Sequence, residues 1–144
     1  MSKIQWMTAG TTPMPDIDVT EMQAWIDRVI AAHNLLPGKI NYMFCDDEKI
    51  LEVNRQFLGH DYFTDIITFG YSRGRIVSGD IYISLDTVRS NAELVGQTYD
   101  RELRRVIIHG VLHLCGIDDK GPGEREIMER HEDEALEMLE SSKK

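Results

Sequence analysis

The stretch His109-Gly-Val-Leu-His113-Leu-Cys-Gly116-Ile-Asp-Asp119 decides how this chain is read. Apolar residues recur at Leu103, Val106, Ile107, Val111, Leu112 and Leu114, and charges gather upstream of them, so Tyr99 to Cys115 reads as a buried helix. At about 3.6 residues per turn, His109 and His113 stand roughly 40° apart around the axis, so both imidazoles project from one face. Gly116 ends the helix. Lacking a Cβ, it takes the left-handed conformation and turns the chain back, so that Asp118 or Asp119 approaches the two rings. The spacing HxxxHxxGxxD therefore offers two neutral imidazoles and a carboxylate with one position left for water. That is the ligand set of a catalytic Zn²⁺ rather than of a closed structural site. Two histidines at this spacing also occur as plain core residues; the glycine turn and the acid after it are what favour a metal.

Working outward, Ile4 to Met7 reads as a first strand and TTPMPDID as a breaker-rich linker. Asp16 or Asp18 can cap a helix on which Met22, Trp25, Ile26, Val29 and Ile30 recur at helical spacing until Leu35-Leu36-Pro37-Gly38 stops it. Lys39 to Cys45 alternates as a strand, and Asp46 or Asp47 can cap a helix running through Phe57. Asp65 to Phe69 and Val77 to Leu85 read as a hairpin around the Gly70 to Gly74 stretch. Asp86 can cap a short helix to Leu94, and a last helix spans Glu124 to Leu139. The order β-α-β-α-β-β-α-α-α predicts an α+β fold: a small mixed sheet with packed helices and a metal site at the end of a central helix. No repeat or internal boundary is visible, so residues 1–144 read as a single domain.

Composition narrows the function classes. With 144 residues, 42% hydrophobic and 28% charged, the chain has the makeup of a globular domain. Its apolar runs fall far short of the roughly eighteen residues that span a bilayer, and MSKIQWMTAG lacks a secretory apolar segment, so a cytoplasmic protein without membrane contact is expected. Cys45 and Cys115 form no CxxC pair and read as reduced structural thiols; Cys115 lies about 200° around the helix from His113 and packs away from the metal. A formal charge of −9 argues against a protein that coats nucleic acid nonspecifically. Distribution tempers that, because GEREIMERHEDEALEMLE holds eight acids while Arg101, Arg104 and Arg105 cluster upstream of His109. The plainer reading of those arginines is a helix face paired with nearby acids. Met128 and His131 belong to a helical stripe with Ile127, Ala135, Leu136 and Leu139, so both are expected to pack rather than to touch a metal.

The metallopeptidase signature HExxH places a glutamate general base where this chain has Gly110. HGVLHLCGIDD instead resembles the HGxLHLxGxDH helix of the YbeY family of bacterial rRNA-maturation endoribonucleases, matching every fixed position but the last. NRQFLGHDYFTDIITF, from Asn54 to Phe69, is similar to that family's segment leading into T-(D/N)-(V/I)-L-S-F, and SGDIYIS at 78–84 is similar to its L-G-D-I-x-I-S strand. The resemblance implies a single-strand-specific, metal-dependent endoribonuclease acting on small-subunit (16S) rRNA and in ribosome quality control. It implies one Zn²⁺ per chain, with rRNA and the small ribosomal subunit or its assembly factors as partners. The family's third metal-binding histidine falls on Asp119, giving His109, His113 and Asp119 as ligands, a set that Zn²⁺ accepts. The family's arginine falls on Leu58, and Arg55 or His60 is the candidate to supply its charge at the catalytic centre. A metal-stabilised ribosome-assembly factor that binds without cutting is the alternative, ahead of a metallopeptidase.

Overall fold

The computed structural model describes residues 3–59 and 64–141. The elements follow the expected order: β1 (Ile4–Thr8), α1 (Val19–Ala32), β2 (Leu36–Cys45), α2 (Asp47–Val53), β3 (Ile66–Gly70), β4 (Ile76–Ser84), α3 (Leu85–Val95), α4 (Tyr99–Leu114) and α5 (Glu124–Ser141). The strands form one mixed sheet in the order β1-β2-β4-β3, parallel except for the antiparallel β3–β4 pair. This is the predicted α+β class. Asp18 caps α1 and Asp46 caps α2, each accepting from a backbone N–H three residues on.

Strand alternation sets the layers. Ile40, Tyr42 and Phe44 of β2 and Ile81 and Ile83 of β4 are fully buried on one face, against Trp25, Ile26 and Ile30 of α1 and Leu103, Ile107 and Val111 of α4. A smaller cluster of Cys45, Ile50, Val53 and Ile67 forms where α2 meets the sheet. Two buried aromatic side chains tie the layers together through their polar ends. The Tyr42 hydroxyl donates to the Ile107 carbonyl at 2.9 Å, and the Trp25 indole N–H donates to the Ala135 carbonyl at 2.7 Å.

Several boundaries differ from the sequence reading. Strand β2 starts at Leu36 rather than Lys39, because Leu36 N–H donates to the Arg75 carbonyl and a register shift between Pro37 and Ile40 absorbs the proline. Ser84, not Asp86, caps α3 by accepting from Thr87 N–H. The expected continuous helix through Phe57 ends at Val53 and passes into a π-helical turn, Asn54–Leu58, closed by Gly59 at φ 68°. On α5 the buried stripe is Met128, Glu132, Ala135, Leu136 and Leu139, while Ile127 is exposed and His131 half-buried.

Helix α4 positions the site. Thr98 caps its start, and its end is a complete Schellman turn: Ile117 N–H donates to the Leu112 carbonyl and Gly116 N–H to the His113 carbonyl, both at 3.0 Å, with Gly116 at φ 99°. Ile117 then packs on the main core and anchors the reversal. Replacing Gly116 with Ala should destabilise the protein by about 1–2 kcal/mol in urea unfolding, since an L-residue is strained at that φ. An unchanged midpoint would show that the turn relaxes without cost.

Candidate metal centre

The last two turns of α4 carry His109 and His113, and the Schellman turn returns Asp119 to them. Asp119 Oδ2 lies 3.5 Å from His109 Nε2, and its Oδ1 lies 3.4 Å from His113 Nε2. The two rings stand edge to face, 4.7 Å between centroids and 80° between planes. One ligand atom from each of the three residues falls within 4.8 Å of the others, so the group can hold a metal ion. The separations suit that use: two ligands each about 2.0 Å from a tetrahedral ion stand roughly 3.3 Å apart. Asp119 Oδ1 is buried and accepts no hydrogen bond among the described residues, a costly state for a carboxylate oxygen unless a cation meets it. Burial holds His113 below the usual imidazole range, the neighbouring His109 pushes the same way, and Asp119 opposes both. A neutral ring is the form that ligates metal.

Behind the ligands lies a buried charge network. His109 Nδ1 is 2.5 Å from Glu132 Oε2, and Arg105 donates to the other Glu132 oxygen at 3.1 Å. The same guanidinium grips Glu102 with two hydrogen bonds, at 3.0 and 2.5 Å. Both glutamates are only 3% exposed. Arg105 is held above its usual range, first by the hydrogen bond to Glu102.

The site opens into a cleft of about 490 Å³ between α4 and β3. Asn54, Leu58, Asp65 and Lys120 line it together with Arg105 and the three candidate ligands. Burial raises the Asp65 carboxyl, while Arg105 and His109 draw it back down. Asp118 is exposed and belongs to no such cluster among the described residues. Arg55 is exposed on the π-helical turn and lines a shallow groove with Glu48, Leu51, Glu52 and Gln56, not the cleft that holds His109. His60, the other candidate for the charge, lies outside the described residues. Of the upstream arginines, Arg101 pairs with Glu140 at 3.1 Å, Arg104 donates to the Asp100 carbonyl, and Arg105 is committed as above. His131 meets His33 instead of the metal group, 5.1 Å between ring centroids, and Cys115 packs on the core with its thiol pushed up to about 11 by burial.

Sequence reasoning missed Glu132, Glu102 and the role of Arg105. A signal for Glu132 existed: it falls four residues after Met128 and three before Ala135, so a charge sits inside an apolar stripe. Its partner on α4 required the tertiary structure.

With this geometry in hand, comparison with known proteins places the chain. The family model described as endoribonuclease YbeY matches residues 11–140, and the chain belongs to that family. A protein named endoribonuclease YbeY from Phocaeicola vulgatus is 62% identical over 136 residues, covering 94% of this chain and 98% of that one. One of the same name from Porphyromonas gingivalis is 47% identical over 142 residues, 99% of this chain and 93% of that one. The solution structure of TM1509 from Thermotoga maritima superposes with a TM-score of 0.68 at 25% identity, covering 96% of this chain and 90% of that one.

Asp119→Asn should weaken divalent-metal affinity about tenfold or more, and Asp118→Asn should leave it within about threefold, measured by chelator competition. The reverse order would show that the wrong acid has been assigned. Asp119→His should retain the metal, because a third imidazole satisfies the same kind of ion.

Proposed function

We propose that this protein is a metal-dependent endoribonuclease that cuts single-stranded RNA in small-subunit rRNA maturation and ribosome quality control. One Zn²⁺ is held by His109, His113 and Asp119. The observation that carries the reading is the convergence of these three side chains on an open cleft, in a chain of the endoribonuclease YbeY family. An ion held there supplies positive charge for a phosphate oxygen and acidifies a water. Neither service needs a glutamate at position 110, and the packing there is tight: a Cβ on Gly110 would lie 2.9 Å from Ile81 Cδ1 and 3.1 Å from Ile66 Cδ1. Reaction in the cytoplasm, with rRNA and the small subunit or its assembly factors as partners, follows from the family resemblance. No helix among the described residues is long and apolar enough to cross a membrane.

Attack on a phosphodiester gathers negative charge on the phosphoryl oxygens, and a cation in the cleft lowers that barrier. Leu58 lines the cleft where the family's arginine is expected, and Arg105 is tied to two carboxylates. Lys120 lines the same cleft and enters no ion pair among the described residues. We therefore assign the cation to Lys120, with Arg55 and His60 as the other candidates.

Cleavage of a single-stranded RNA oligonucleotide should be abolished by chelator and restored by Zn²⁺, while casein stays intact. Lys120→Ala should slow cleavage by on the order of ten- to a hundredfold, with Arg55→Ala costing less than about threefold. A larger loss in Arg55→Ala or His60→Ala would move the cation to the π-helical turn. Wild-type protein that binds rRNA but never cuts it would favour the assembly-factor reading.

A further inference from the structure

We propose that Glu132 is a positioning residue of the metal centre, holding the His109 ring through Nδ1 so that Nε2 faces His113 and Asp119. The inference rests on the reading of those three side chains as metal ligands. A carboxylate only accepts hydrogen bonds, so at 2.5 Å from Glu132 Oε2 the His109 Nδ1 carries the proton. That leaves Nε2, the atom 3.5 Å from Asp119, as the nitrogen with a free lone pair. Rotation of the ring would break a hydrogen bond to a glutamate that is 3% exposed. Glu132 is itself fixed, because Arg105 donates to its Oε1 at 3.1 Å.

A purely structural role for Glu132, as counter-charge to Arg105, explains less of the geometry. Arg105 already has a two-bond partner in Glu102, which is just as buried. Only one Glu132 oxygen serves the arginine, and the other turns to the histidine. Glu132 also comes from a different helix, 23 residues along the chain from His109, so α5 contributes to the site without supplying a ligand. Partners of this kind raise ligand basicity and set ring orientation.

The test is Zn²⁺ affinity by competition with a chromophoric chelator, alongside thermal unfolding of the metal-free chains. Glu132→Ala should weaken Zn²⁺ binding by about ten- to a hundredfold. Glu132→Gln, which keeps a carbonyl oxygen for Nδ1–H, should recover most of the loss. Glu102→Ala is the matched comparison: it removes an equally buried carboxylate from the same arginine while leaving the His109–Glu132 contact in place, and should cost at least about threefold less affinity than Glu132→Ala. Glu132→Ala binding within threefold of wild type, or Glu102→Ala losing as much as Glu132→Ala, would overturn the inference while leaving the ligands in place. Wild-type protein that binds no Zn²⁺ would overturn the ligand assignment and this inference with it. Should Glu132→Ala fail to fold, NMR of the zinc-loaded wild type decides: the His109 Nδ1 proton should be deshielded and protected from exchange, and a freely exchanging one refutes the contact.

Discussion

Charge balance at the end of α4 is the constraint on which the rest of the site depends. Glu102 in the first turn of α4, Glu132 of α5 and Asp119 beyond the helix's end are linked through Arg105 and His109, and among the described residues that meet them only Arg105 carries a fixed positive charge. Two of these carboxylates are almost wholly buried, where an unpaired charge costs several kcal/mol. The guanidinium cancels one of the three charges. A divalent ion between the imidazoles and Asp119 would cancel the other two, and it would meet Asp119 Oδ1, a buried oxygen with no hydrogen bond among the described residues. Protonated histidines would be the other way to balance the charge, but burial works against a charged His113. The same arrangement that makes a bound cation favourable thus keeps that ring in the ligating form.

What could be read from the sequence divides by distance along the chain. His109, His113 and Asp119 lie within eleven residues, and helical period plus a glycine turn suffice to bring them together. Strand alternation and capping acids similarly gave the element order and the α+β class. Glu132 could not be reached by such rules, because its contact depends on how α5 crosses α4. The C-terminal helix is read from sequence for its apolar stripe alone, yet among its acids it holds one carboxylate at the centre of the network and another, Glu140, on Arg101.

Arg55 shows a different limit. A continuous α-helix through Phe57 was the natural reading of that segment, and it allowed Arg55 to reach the rim of the cleft. The π-helical turn begins one residue earlier, at Asn54, and its wider winding changes the phase of everything after it. Asn54 becomes buried at the cleft, Leu58 lines it, and Arg55 projects to another groove. Nothing in the composition of NRQFL announces that winding, since residues acceptable in an α-helix are equally acceptable in a π-turn.

Gly110 links the fold to the chemistry. A Cβ there would meet the side-chain ends of Ile81 and Ile66 at 2.9 and 3.1 Å, so α4 lies close against β4 and β3 and a larger residue would require those isoleucines to shift. Across the cleft from the α4 histidines, β3 supplies the opposite wall through Ile66, Ile67 and Thr68. This packing leaves α4 to present the candidate ligands His109 and His113 to the cleft, with β3 across from them.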